Sequence, residues 1–139
     1  MEVNIMADWK MINSEQLEPY VCDEVYSSKL LTGDELAGLP VININEGTLI
    51  GGARTGGGVH DETEFYYIVK GIGDVWLDDD CVHVKPGDII IIPPGVFHWI
   101  DNRMNKDPFV LFTLWQKQEF NGVYHERLKA WGTSYKYKK

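Results

Sequence analysis

Cysteine is nearly absent: Cys22 and Cys81 are the only two in 139 residues. They cannot form a disulfide framework, so a reduced, cytoplasmic compartment is the simpler expectation. Long hydrophobic runs are lacking as well. Ile89 to Ile92 is the longest and is extended only by prolines, far short of the roughly 20 residues a membrane helix needs. Met1 to Asn13 has acidic and polar residues scattered through it and no apolar stretch before a small-residue cleavage site, so no secretory signal is read there. Cationic side chains are scarce, 13 Lys and Arg against 21 Asp and Glu, for a formal net charge of -8. That balance disfavours nucleic acid and an anionic membrane surface as partners. The glycine-rich stretch Thr55 to Gly58 lacks the Gly-Lys-Ser/Thr ending of a phosphate loop and opens no helix. No serine sits in a nucleophile elbow, and no calcium-loop spacing surrounds Asp78-Asp79-Asp80, which suits a hairpin turn.

What is present is an ordinary globular composition, 44% apolar and 24% charged, punctuated by 14 Gly and 6 Pro. One domain spanning residues 1–139 is expected. Its all-β core is read over about 41–116, with an N-terminal flank over 1–40 and a C-terminal tail over 117–139. Strands are expected at Val41 to Ile44, Thr48 to Arg54, Glu64 to Val69, Gly73 to Leu77, Cys81 to Val84, Asp88 to Ile92, Phe97 to Asp101 and Phe109 to Gln116. Eight short strands suggest a closed or double-sheet barrel. Ser14-Glu15-Gln16 resembles a weak helix start that Pro19 interrupts, so the first 35 residues are expected to pair or wrap irregularly around the barrel. Phe120, Tyr124, Leu128 and Trp131 share one face at helical spacing, which predicts a short tail helix packed on the barrel. His83 is expected to face outward, and Cys22 and Cys81 to be small packing residues.

The most informative stretch runs from Gly87 through Pro93, Gly95 and His98 to Asn102. Pro86-Gly87 starts a strand, Ile89 to Ile92 are expected to bury on both faces, and Pro93-Pro94-Gly95 turns the chain into the next strand. Period-two alternation then sends His98 and Ile100 to one face, and Phe97, Trp99 and Asp101 to the other. This stretch resembles the second motif of the cupin superfamily at every defining position. Upstream, His60, Glu64 and Gly71 resemble the first motif, His-x-His followed by Glu and Gly, with Gly52 at the leading glycine. His60 takes the second histidine position and Gly58 stands where the first would be.

The resemblance implies a single cupin-type β-barrel (a double-stranded β-helix or jelly roll), often dimeric, that holds a divalent transition metal through motif residues. Carried over residue by residue, the expected ligands are His60, Glu64 and His98. Two imidazoles and one carboxylate suit iron, manganese, nickel, cobalt or zinc and leave coordination positions open. The structural alternative is a pair of hydrogen-bonded interior histidines in a barrel that has lost its metal. Alternation places Tyr66 beside Glu64, as an expected acid or base or else as a barrel-filling residue. Arg54, ahead of the glycine-rich loop, is the expected catalytic anchor for a substrate anion, ahead of Lys70. Glu62 could stand in for the absent ligand if the loop register shifts, although exposure is the first expectation. The expected partner is a small-molecule substrate, with a homodimer as the assembly. The leading expectation is isomerase or epimerase chemistry on a small polar metabolite such as a sugar or hydroxy acid, with the metal as Lewis acid. An iron-dependent dioxygenase and a non-catalytic small-molecule-binding cupin remain open alternatives.

Overall fold

The computed structural model describes residues 9, 11–32 and 42–115, and within them the chain is almost wholly extended. The weak helix start yields one 3-10 turn, Ser14–Gln16, in which the Asn13 side chain accepts a hydrogen bond from the Glu15 N–H at 2.9 Å. Nine strands follow: β1 (Tyr20–Val21), β2 (Tyr26–Thr32), β3 (Asn43–Leu49), β4 (Glu64–Lys70), β5 (Gly73–Leu77), β6 (Asp80–Val84), β7 (Ile89–Ile92), β8 (His98–Asp101) and β9 (Phe109–Trp115). β5 matches its expected bounds, and β4 and β6 to β9 differ from theirs by one residue. The expected tail helix lies outside the described residues.

Two regions differ from expectation. No strand was assigned in the first 35 residues, which were expected to pair or wrap irregularly around the barrel; β1 and β2 pair in regular antiparallel fashion and β2 adds onto β3. The two strands expected at Val41 to Ile44 and Thr48 to Arg54 are one strand, β3, because pairing with β9 runs straight through Asn45-Glu46-Gly47. Gly47 has a packing reason to be glycine: a Cβ there would lie 2.1 Å from the Tyr26 hydroxyl of the neighbouring strand. The Asp78-Asp79 turn behaves as read, with Asp78 at φ 51 in the left-handed region that aspartate tolerates.

The strands form a six-stranded sheet in the order β1-β2-β3-β9-β4-β7 and a three-stranded sheet in the order β6-β5-β8. Strict alternation sends Glu64, Tyr66 and Ile68 of β4, and Phe109, Leu111, Thr113 and Trp115 of β9, inward. The register stacks them in layers, with Ile68 opposite Leu111, Tyr66 opposite Thr113 and Glu64 opposite Trp115. The interior therefore changes character along its axis. One end is an apolar core of Leu49, Ile68, Val75, Val84, Ile92, Ile100, Phe109 and Leu111, each side chain stabilising by about 2 kcal/mol relative to exposure. The other end carries Asn43, Asn45, Glu64, Tyr66, His98 and Thr113.

β7 corrects a further expectation. Ile92 is fully buried, but Ile89 and Ile91 are 59% and 62% exposed rather than buried on both faces, because β7 is the last strand of its sheet in the described residues. Phe65 and Tyr67, their partners on β4, are exposed on the same face. No helix among the described residues is long and apolar enough to cross a membrane.

Candidate metal centre

Three elements deliver the site. The Pro93-Pro94-Gly95 turn, with Gly95 at φ 82, swings the chain back so that β8 begins at His98 and points its imidazole inward. His60 comes from the bend before β4, and Glu64 is the first residue of β4. Gly58 pairs with His98 through two backbone hydrogen bonds of 3.1 and 3.0 Å, which lashes the glycine-rich loop to β8. The ligand atoms of His60, Glu64 and His98 all lie within 4.8 Å of one another. They face a cavity of about 230 Å³, lined also by Tyr26, Thr55, Glu62, Tyr66, Thr113 and Trp115.

The histidine tautomers are set by the backbone. His60 Nδ1 lies 3.0 Å from the Glu62 carbonyl and His98 Nδ1 lies 2.9 Å from the Val96 carbonyl. A carbonyl only accepts, so each Nδ1 carries a proton and donates it, leaving each Nε2 for the centre. Both Nε2 atoms turn toward Glu64, at 3.0 Å for His60 and 3.9 Å for His98. The hydrogen bond that His60 donates to Glu64 holds its pKa above the usual value, with burial opposing and the nearby charge of Glu64 adding. A metal held by His60 Nε2 and Glu64 would take the place of that hydrogen bond.

Glu62 is the residue that sequence reasoning misjudged. It was expected to be exposed, yet it is 2% exposed, and neither carboxylate oxygen has a hydrogen-bond partner among the described residues. Its nearest charge partner is His60 Nδ1, at 3.4 Å. A buried carboxylate without donors costs several kcal/mol unless positive charge lies close by. Two imidazoles presenting Nε2 to one carboxylate, beside a second carboxylate lacking donors, fit a divalent transition ion by their chemistry. Glu62 lies in the bend before β4, where period-two alternation gives no direction for its side chain. Tyr26, Thr113 and Trp115 also line the cavity and were missed, Tyr26 because the N-terminal strands were not foreseen.

The remaining expected residues separate. Tyr66 is 7% exposed, lines the cavity and meets His98 edge-on, with ring centroids 6.0 Å apart. Arg54 does not line the cavity: its guanidinium lies 3.5 Å over the Trp99 ring, and its backbone bridges to Asp101. Lys70 is exposed at the end of β4. Asn102, which closes the second motif, is fully buried and donates to the carbonyls of Ile50 and Asp107 at 3.1 and 2.8 Å, a clamp between loops. His83 faces outward as expected, whereas both cysteines are exposed rather than packed. Asp74, Cys81 and His83 form a second cluster of metal-ligating side chains, on the surface of the β5–β6 hairpin. There desolvation, with Asp74 and Asp101 adding, pushes the Cys81 thiol pKa up and disfavours the thiolate that binds metal.

Comparison with known proteins places this architecture. The cupin domain family matches residues 46–115, half of the chain, and the protein belongs to that family. An uncharacterised protein of Methanocaldococcus jannaschii is 48% identical over 42 residues, a match covering 30% of this chain and 34% of that protein. The polyketide cyclase RemF of Streptomyces resistomycificus superposes with a TM-score of 0.72 at 16% identity, covering 81% of this chain and 82% of that one. A predicted oxalate decarboxylase of Thermotoga maritima gives 0.68 at 20% identity, covering 78% and 99%. KdgF of a Halomonas species gives 0.63 at 18%, covering 77% and 94%. At these identities the structures share the fold.

Proposed function

We propose that the protein is a metal-dependent cupin enzyme that performs isomerase- or epimerase-type chemistry on a small polar metabolite. His60, Glu64 and His98 would hold a divalent transition ion, whether iron, manganese, nickel, cobalt or zinc. Bound there, the ion supplies Lewis-acid polarisation of a substrate oxygen. The observation that carries the reading is the pair of histidines whose Nδ1 protons are committed to backbone carbonyls while both Nε2 atoms turn to Glu64. The chain's own residues do the rest. Gly58 leaves one side of the centre open, Tyr66 stands beside His98 to move a proton, and Trp115 and Ile100 line the cavity. A volume of about 230 Å³ suits a small metabolite. Names such as oxalate decarboxylase and polyketide cyclase among the structural relatives are in keeping with small-molecule chemistry. A homodimer belongs to the same proposal, supported by the exposed apolar face of Phe65, Tyr67, Ile89 and Ile91. Light scattering that shows only monomer at micromolar concentration would contradict that part.

The test of the activity starts with metal analysis of tag-free protein. Wild type and Tyr66→Phe are then incubated in deuterated water with a panel of small α-hydroxy aldehydes and ketones, and proton exchange is followed by NMR. The proposal expects exchange next to the carbonyl with wild type, slowed by about a hundredfold in Tyr66→Phe. Oxygen consumption without exchange would point to a dioxygenase, and binding without turnover to a sensing role.

A further inference from the structure

We infer that Glu62 sets the charge preference of the centre, so that its ligand is a neutral hydroxyl- or carbonyl-bearing molecule rather than a carboxylate or phosphate. This rests on the metal reading above and adds the substrate class to it. Glu62 is not consumed by holding His60. The single Nδ1 proton of His60 goes to the Glu62 carbonyl at 3.0 Å, and the carboxylate, 3.4 Å from the same nitrogen, has no hydrogen-bond partner among the described residues. It is thus buried beside the centre with no donor from those residues. A divalent ion between two neutral imidazoles and Glu64 would carry one net positive charge, and Glu62 cancels it. An anionic ligand would then bring an unanswered charge into a cavity whose described lining holds no lysine or arginine. Among the described residues, Arg54 and Arg103 are engaged on the outer face with Trp99 and Asp101. A neutral ligand brings no such penalty, and it still offers lone pairs to open coordination positions.

The test uses tag-free protein loaded with cobalt, with loading measured first. Glycolate and glycolamide are the probes, alike in shape and chelating oxygens but different in charge. Their affinities are read from the cobalt absorption spectrum in wild type, Glu62→Gln and Glu62→Met; the last has no polar atom to leave unpaired if the amide is poorly tolerated. Glycolate is expected to bind about tenfold tighter in the neutral variants than in wild type, while glycolamide stays within about threefold. Unchanged glycolate affinity overturns the inference. So do parallel changes for both probes, or variants that no longer load metal, because either outcome makes Glu62 a support of His60 rather than a source of field. Wild type that takes up no cobalt refutes the metal centre itself, visibly at the loading step, and this inference falls with it.

Discussion

The cavity and the outer face of the short sheet each hold a buried carboxylate, and the two are treated in opposite ways. Asp101, on the outward side of β8, accepts from the Arg103 backbone N–H at 3.1 Å, from Arg103 Nε at 2.9 Å and from Arg103 Nη2 at 2.8 Å. Glu62, on the cavity side, is more deeply buried and accepts no hydrogen bond from the described residues. Burial raises the cost of a charge in both places, but Asp101 has a guanidinium as counter-charge while Glu62 has only the His60 ring, 3.4 Å away. A fully answered carboxylate is architecture. One without a donor among the described residues, beside the candidate ligands His60, Glu64 and His98, is where the charge of the proposed metal would belong.

The largest effect that would break this contrast comes from the inward side of β8. His98→Ala removes one of two Nε2 donors, and it is expected to abolish metal binding and the accompanying rise in melting temperature, while leaving the metal-free melting point nearly unchanged. Wild type melting identically with and without metal, read by calorimetry, would contradict it.

Gly58→His sharpens the contrast from the other direction. Gly58 has no positive φ, and a Cβ there would meet nothing within 4 Å, so the strain that forbids a side chain at Gly57, where φ is 81 and Phe97 lies 2.9 Å from a Cβ, is absent. A third imidazole at this strand-paired position should tighten metal binding by about tenfold or more, and lower activity by occupying an open position. Metal titration checks the first and the proton-exchange assay the second.

On the outward side the effects are smaller and concern stability alone. Arg103, through its hydrogen bonds, holds the Asp101 pKa below its ordinary 3.8, with burial opposing. A depressed carboxylate pKa contributes stability present above the unfolded value and lost as pH falls through the folded one. Asp101→Asn should therefore lower the melting temperature by a few degrees at pH 7 and flatten the loss of stability below about pH 4, with metal affinity unchanged. Thermal melts across acid pH decide this. Smallest is Arg54→Ala, which removes the cation over Trp99 and should cost about 0.5–1 kcal/mol. Proton exchange by this variant should match wild type, since Arg54 does not line the cavity.

How far the sequence carried differs between these regions for a physical reason. Turn chemistry and period-two alternation are local, so the Pro93-Pro94-Gly95 turn, β5 and the inward direction of His98 and Tyr66 could be read directly. Pairing partners are not local. Whether Asn45-Glu46-Gly47 turns or continues as strand depends on β9, some sixty residues away, and the order within β1 and β2 depends on docking onto β3. Glu62 was misjudged for the same reason, since a charged residue in a bend reads as exposed until the opposite walls of the barrel close over it. Arg54 failed as an anchor because nothing in its neighbours announced that Trp99 would offer its ring outward.

The central claim is that the barrel interior, through His60, Glu64 and His98, holds the metal. X-ray absorption on tag-free protein loaded with one equivalent of zinc tests it most directly. The account predicts nitrogen and oxygen neighbours at about 2.0–2.2 Å, with imidazole scattering from two histidines and no sulfur. A sulfur neighbour at about 2.3 Å would place the ion at the surface cluster of Asp74, Cys81 and His83 and contradict the account.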